Sequence, residues 1–234
     1  MIVYGRNAVR EALRGPRTVA RVWATENALR VKWLSGVAAH VAAASAEEIS
    51  HICGTFEHQG ICAEVSAFRY ADAESLLGLD APVVALDQVQ DPQNLGAICR
   101  SAECAGVAGV VIPERRAVEV TPAVCKASAG AVEHLPVARV RNLADFLALA
   151  KRAGRWCYGA QAGGGVSYHS VDFGGKVVLV LGSEGRGLRP RVAASCDALV
   201  AIPLRGRIES LSVSAAAAVL LYAATGQDRG GGGD

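Results

Sequence analysis

Three short stretches of this chain bring together residues that could hold an anion, let a ligand approach the backbone and manage a proton. The first is Asp87-Gln88-Val89-Gln90-Asp91-Pro92-Gln93-Asn94-Leu95-Gly96-Ala97-Ile98-Cys99-Arg100. It leaves an apolar run at 83–86 and enters a helical pattern through Asp91-Pro92, an acceptor followed by a ring that presets the first helical turn. Capping accounts for that dipeptide but not for Asn94, Gly96 and Arg100 together. Arg100 is expected about a turn and a half inside a helix over 94–105, where its planar fork could hold an anion beside the strand ends. The second stretch, Gly182-Ser183-Glu184-Gly185-Arg186-Gly187-Leu188, follows the apolar run 177–181. Its glycines let a backbone turn tightly with no Cβ in the way of a ligand. Its G-x-x-G-x-G spacing, late in the chain, is not the dinucleotide fingerprint. The third runs Ile202-Pro203-Leu204-Arg205-Gly206-Arg207-Ile208-Glu209-Ser210-Leu211-Ser212-Val213-Ser214, with an alanine-rich segment behind it reaching Tyr222. Ser210 and Ser212 stand where a helix begins, so each could cap that helix or touch a ligand.

The elements that must carry these stretches follow from the apolar rhythm. Continuous apolar runs at 83–86, 107–112, 135–140, 156–160, 177–181 and 198–202 suit strands buried on both faces. Helical patterns lie between and after them at 94–105, 121–131, 142–153, 187–195 and 212–224. The sum is an α/β fold with an open parallel sheet flanked by helices, in which ligands bind beyond the carboxyl ends of the strands. All three stretches follow strands.

A smaller α/β unit is expected ahead of it, over 1–68, with a strand at 19–24, a helix at 29–44 and an alternating strand at 60–65. Arg6, Arg10 and Arg14 recur every four residues and would align along one helix side, either tracking phosphates or forming a solvated face. Residues 1–32 hold six arginines and one lysine against Glu11 and Glu26, so the basic character is concentrated at the start. Residues 69–80 read as a linker whose Leu76, Leu77 and Leu79 have something to bury, 81–226 as the larger domain, and 227–234 as a disordered tail.

Composition sets further bounds. With 234 residues, 51% hydrophobic, the chain can bury a large core, and a net charge of +2 argues neither for nor against nucleic acid. Seven cysteines without a C-x-x-C pair suggest neither zinc nor a disulfide framework, and the five histidines show no metal-ligand spacing, so no metal is expected. No apolar run approaches the ~20 residues that span a bilayer, and no signal-peptide core opens the chain. A cytoplasmic protein with no membrane partner is the expectation.

Taken in order, residues 87–103, 182–188 and 202–222 resemble the three motifs of the SpoU (TrmH-type) RNA ribose 2′-O-methyltransferases of the SPOUT superfamily. Tyr4-Gly5-Arg6-Asn7-Ala8-Val9-Arg10-Glu11-Ala12-Leu13 and His58-Gln59-Gly60-Ile61 are similar to the N-terminal substrate-binding domain of that family's RlmB branch. The resemblance implies a C-terminal trefoil knot, S-adenosylmethionine held in a bent shape by the knot's loops, and a homodimer whose active site is completed across the subunit interface. It places the methyl donor against the backbone of Gly182, Ile202 and Leu211, with Leu181, Leu204, Gly206 and Ser212 in the same site. Asn94, Arg100, Glu184 and Ser210 match the catalytic positions, and Arg6, Arg10 and Arg14 become RNA contacts. Ser212 stands where the family has asparagine, which keeps a hydroxyl but loses the amide's paired donor and acceptor.

The implied reaction is attack of a ribose 2′-hydroxyl on the sulfonium methyl, on a guanosine of 23S ribosomal RNA. An inactive RNA-binding protein of the same fold, or a methyltransferase acting on transfer RNA, is the alternative. Glu133 and His134 have no role legible from sequence, and Cys99, beside Arg100, reads as a small buried hydrophobe.

Overall fold

The computed structural model describes residues 1–37 and 40–226, so the stretch 227–234, expected as a disordered tail, lies outside them. The first unit comprises β1 (Ile2–Tyr4), α1 (Arg6–Arg14), β2 (Val19–Ala24), α2 (Glu26–Leu29), β3 (His40–Ala43), α3 (Ala46–Cys53) and β4 (Ile61–Val65). Its sheet runs β1-β4-β2-β3, antiparallel except for the parallel β2/β3 edge. Alternation sorts the side chains: Val3, Val22, Ile61 and Ala63 meet Ala8, Val9 and Ala12 of α1, whereas Tyr4 and Cys62 meet Ile49 of α3 on the other face. A reciprocal Ser45–Glu48 capping box starts α3.

The helix expected over 29–44 does not form. Thr25 caps a short α2 that ends at Leu29, Lys32–Leu34 make one 3-10 turn, and Gly36 takes a left-handed φ of 94°. Val41 then enters β3, where pairing with β2 outweighs any helical pattern.

The larger unit comprises α4 (Ala73–Leu77), β5 (Val83–Asp87), α5 (Pro92–Cys104), β6 (Gly109–Pro113), α6 (Pro122–Ala127), β7 (Val137–Val140), α7 (Leu143–Arg152), β8 (Trp156–Ala160), β9 (Val166–Ser167), β10 (Val177–Gly182), α8 (Pro190–Ala194), β11 (Ala198–Ala201) and α9 (Val213–Gly226). Its strands form one parallel sheet in the order β7-β6-β5-β10-β8-β11-β9. Alternate strand residues bury both faces. Val84, Leu86, Val110, Leu179 and Leu181 pack under α5, α6 and α9, while Val83, Ala85, Val111, Val178 and Val180 pack on α4, α7 and α8. Helices therefore cover both sides of the sheet, as the unbroken apolar runs require. At Gly96, a Cβ would stand 2.4 Å from the Cβ of Ala127, so this glycine lets α5 lie against the end of α6.

Two devices join the units. Arg17 sends its Nε 2.8 Å to Glu133, and a further nitrogen bonds the other carboxylate oxygen, with both side chains almost fully buried. Glu11 accepts from His134 at 3.0 Å and also binds Arg10 and Arg14. Between the units, Leu76 and Leu77 are buried, but Leu79 is 48% exposed, against expectation. The buried Arg155 holds this segment, donating to the carbonyls of Leu76, Leu77, Leu79, Ala81 and Val177.

Candidate active site

β10 was made after β8 in chain order yet lies between β5 and β8, and β11 lies between β8 and β9. The carboxyl ends of β8, β10 and β11 thus share one edge, and a cavity of about 770 Å³ opens beyond them. Three loops wall it. After β10, Ser183 and Gly187 exchange backbone hydrogen bonds at 3.2 and 2.9 Å, folding the loop back on Gly182. A Cβ on Gly182 would lie 2.1 Å from the carbonyl carbon of Gly187, so only glycine closes this corner.

What keeps the loop down is Asp87, the wholly buried last residue of β5. One of its oxygens accepts the backbone N–H of Arg189 at 2.8 Å, and the other accepts Nε at 2.8 Å and Nη2 at 2.7 Å. The second wall is the segment 202–212. There Ser212 accepts the N–H of Ala215 at 3.2 Å and so caps α9, the role open to either serine in the sequence. The third wall, Gln161, Ala162 and Gly163, follows β8.

Leu181, Gly182, Ile202, Leu204, Leu211 and Ser212 all line the cavity, as do Glu184 and Ser210. Gly206 does not, and no atom of a described residue beyond its chain neighbours lies within 4 Å of where its Cβ would be. Asn94 and Arg100 also stand outside the lining. Asn94 donates to Asp91 at 3.3 Å within the first turn of α5. Because α5 begins at Pro92, Arg100 is deeper in the helix than the expected turn and a half; it is exposed, and its side chain makes no hydrogen bond or ion pair with a described residue. Arg6 is exposed as well, while Arg10 and Arg14 turn to Glu11.

The cavity's chemistry is specific. Among the described residues its charged lining is Glu184 and Glu209, with no arginine, lysine or histidine, and Leu181, Ile202, Leu211 and Leu220 supply apolar surface. Such a lining suits a ligand with a flat apolar part and a positive centre. S-adenosylmethionine, whose sulfonium and ammonium face an adenine across the molecule, fits both demands. Cys99, next to Arg100, is wholly buried, and burial pushes its thiol up to about 12, so it is no nucleophile at neutral pH. Among the described residues no cluster of histidine, cysteine and carboxylate side chains could hold a metal, and no helix is long and apolar enough to cross a membrane.

Sequence patterns agree with this geometry. Residues 81–222 match the SpoU rRNA Methylase family, and residues 2–71 match the RNA 2′-O ribose methyltransferase substrate binding family. The chain belongs to the SpoU rRNA methylase family. Membership makes it an RNA methyltransferase of the SpoU and TrmH class with S-adenosylmethionine as methyl donor. YacO of Bacillus subtilis (strain 168), placed in the TrmH family of tRNA/rRNA methyltransferases, is 38% identical over 94% of this chain and 93% of its own length. A TrmH-family RNA methyltransferase structure from Porphyromonas gingivalis superposes with a TM-score of 0.77 at 30% identity, covering 95% of this chain and 88% of that one. An AdoMet-bound rRNA methyltransferase from Sinorhizobium meliloti gives 0.79 at 27% identity, covering 95% and 85%.

Sequence reading missed the wall after β8, although the run Gly163-Gly164-Gly165 behind an apolar strand was a visible signal. It also missed the Asp87–Arg189 clamp, whose partners lie 102 residues apart and carry no pattern.

Proposed function

We propose that the protein methylates the ribose 2′-hydroxyl of a guanosine in 23S ribosomal RNA, as a cytoplasmic homodimer. The observation that carries the reading is the cavity itself: six of the seven positions expected to hold the donor meet there, with two carboxylates and no cation among the described lining residues. When bound, S-adenosylmethionine supplies an electrophilic methyl group. Glu184 and Glu209 favour a positively charged donor over its neutral product, which aids exchange after each turnover. The cramped corner at Gly182 and the capped start of α9 anchor two parts of the lining. Holding both reactants in attack geometry is worth roughly 7 to 11 kcal/mol, so positioning is the main contribution asked of these walls.

Arg100 is the catalytic arginine of this reading. An arginine fork is a poor base but a good donor, so Arg100 serves as a clamp on phosphate and hydroxyl that lowers the cost of the developing alkoxide. Since it is exposed on α5 and outside the lining, the second subunit is what brings an arginine to each cavity, and Asn94, in the first turn of the same helix, is the other polar group of this reading. Exposed Val219 and Tyr222 on α9, and Leu204, Ile208 and Leu211 in the neighbouring wall, leave apolar area for that subunit to cover. Residues 1–68 would grip RNA through Arg6, Arg10 and Arg14, 69–80 link, and 81–226 carry the transfer. β10 and β11, each inserted between strands already laid, support a knotted carboxyl-terminal segment.

Labelled methyl donor incubated with ribosomal and transfer RNA, followed by ribose-methylation mapping, tests this. One guanosine in 23S RNA should acquire label. Label in transfer RNA would move the substrate, and calorimetry showing RNA binding without donor binding would mark an inactive RNA-binding protein.

A further inference from the structure

The first unit holds a second cavity, of about 510 Å³, bounded by Arg10, Leu13 and Arg14 of α1, Val19 of β2, Arg17 between them, and Trp33 from the 3-10 turn. We propose that this cavity takes one unpaired nucleotide of the RNA, with its base on Trp33 and its phosphate on Arg10 and Arg14. The proposal rests on reading the first unit as the RNA-binding part.

The volume falls in the range of small-ligand sites, roughly 300 to 1,000 Å³. Trp33 is half-buried, and Leu13 and Val19 add the apolar surface a base requires once it leaves water. The cations differ in what they have to spare. Arg17 is spent on Glu133 and shapes the wall. Glu11 is shared between Arg10 at 2.8 Å, Arg14 at 3.5 Å and His134 at 3.0 Å, so one carboxylate serves three donors. The side chains of Arg10 and Arg14 remain 37% and 59% exposed, with N–H groups left over for a phosphate. Arg6 is not part of this cavity, which separates it from the other two arginines of the helix. A stacked duplex cannot lay a base face on an indole; an unpaired nucleotide can.

The test uses the full chain and two fluorescent probes, a mixed-sequence single-stranded RNA of about twelve nucleotides and a duplex of the same length. Trp33→Ala should weaken the single strand by roughly 5- to 150-fold, and Trp33→Phe should restore most of it. Arg14→Gln, at an exposed position whose contact with Glu11 is the long one at 3.5 Å, should weaken it several-fold and flatten the salt dependence by about 0.7 in logarithmic slope. Duplex binding should stay unchanged in both Trp33 variants. Unaltered single-strand binding in both Trp33→Ala and Arg14→Gln, an equal loss on the duplex in Trp33→Ala, or no binding of the single strand by the parent protein would each overturn the proposal. Donor calorimetry on the same variants keeps the two readings apart: donor binding and methyl transfer that persist while the nucleotide site fails would remove this inference alone.

Discussion

Arg189 contacts Asp87 through its backbone N–H, Nε and Nη2, all within 2.8 Å, so the helix start at Pro190 is tied to the buried end of a strand laid down about a hundred residues earlier. Removing the guanidinium leaves a wholly buried carboxylate with one backbone donor. Arg189→Ala should therefore cost about 1–3 kcal/mol in urea unfolding. It should also weaken donor binding in calorimetry, because the loop 182–187 loses its anchor. Loss of stability with donor affinity intact would show that the clamp serves the fold only.

Arg100 has the opposite character. Its side chain is exposed and bonds no described residue, so Arg100→Ala should leave the melting curve within about 0.5 kcal/mol of the parent and leave donor affinity unchanged. Methyl transfer to RNA should fall severely. Arg100→Lys should fall nearly as far, since an ammonium lacks the fork, and near-full activity in that variant would exclude the clamp.

The joint between the two units rests on a buried ion pair. Glu133→Ala leaves Arg17 charged and almost fully covered, which should cost about 3–5 kcal/mol in chemical denaturation. Replacing both partners by methionine should be close to neutral, because two desolvated charges are then exchanged for apolar packing. A double variant as unstable as Glu133→Ala would show that the pair itself, and not the stranded arginine, determines the outcome.

Acid should loosen the other fastening. Burial alone would raise the pKa of Glu11, but hydrogen bonds from His134 and Arg10 and the nearby Arg10 and Arg14 charges lower it overall. A carboxyl depressed in the folded state adds stability above its unfolded pKa of about 4.3 and loses it as pH falls through the folded value. Glu11→Gln should be less stable than the parent at neutral pH, and the gap should close below about pH 4. A gap of constant size across that range would mean that Glu11 contributes through packing alone.

Much of this was legible in the chain. The strands of the large sheet announced themselves as unbroken apolar runs because both faces are buried, and the cavity walls after β10 and β11 stood out because glycine and proline interrupt those runs. The stretch 29–44 misled because its apolar residues suit a helix locally, while the pairing of Val41 with β2 is decided by a neighbour far along the chain. Gly96, grouped with Asn94 and Arg100 as chemistry, turns out to be a packing glycine against Ala127. Glu133 and His134 gave no signal, since their partners Arg17 and Glu11 lie more than a hundred residues away.

Arg155 has a further consequence. Its five carbonyl acceptors gain no proton at any acidity the protein survives, so no hydrogen bond of this strut between α4 and the sheet is made to a carboxylate. Whatever acid does at Glu11, these bonds keep both donor and acceptor, and the turn leading into β5 stays tied to the start of β10.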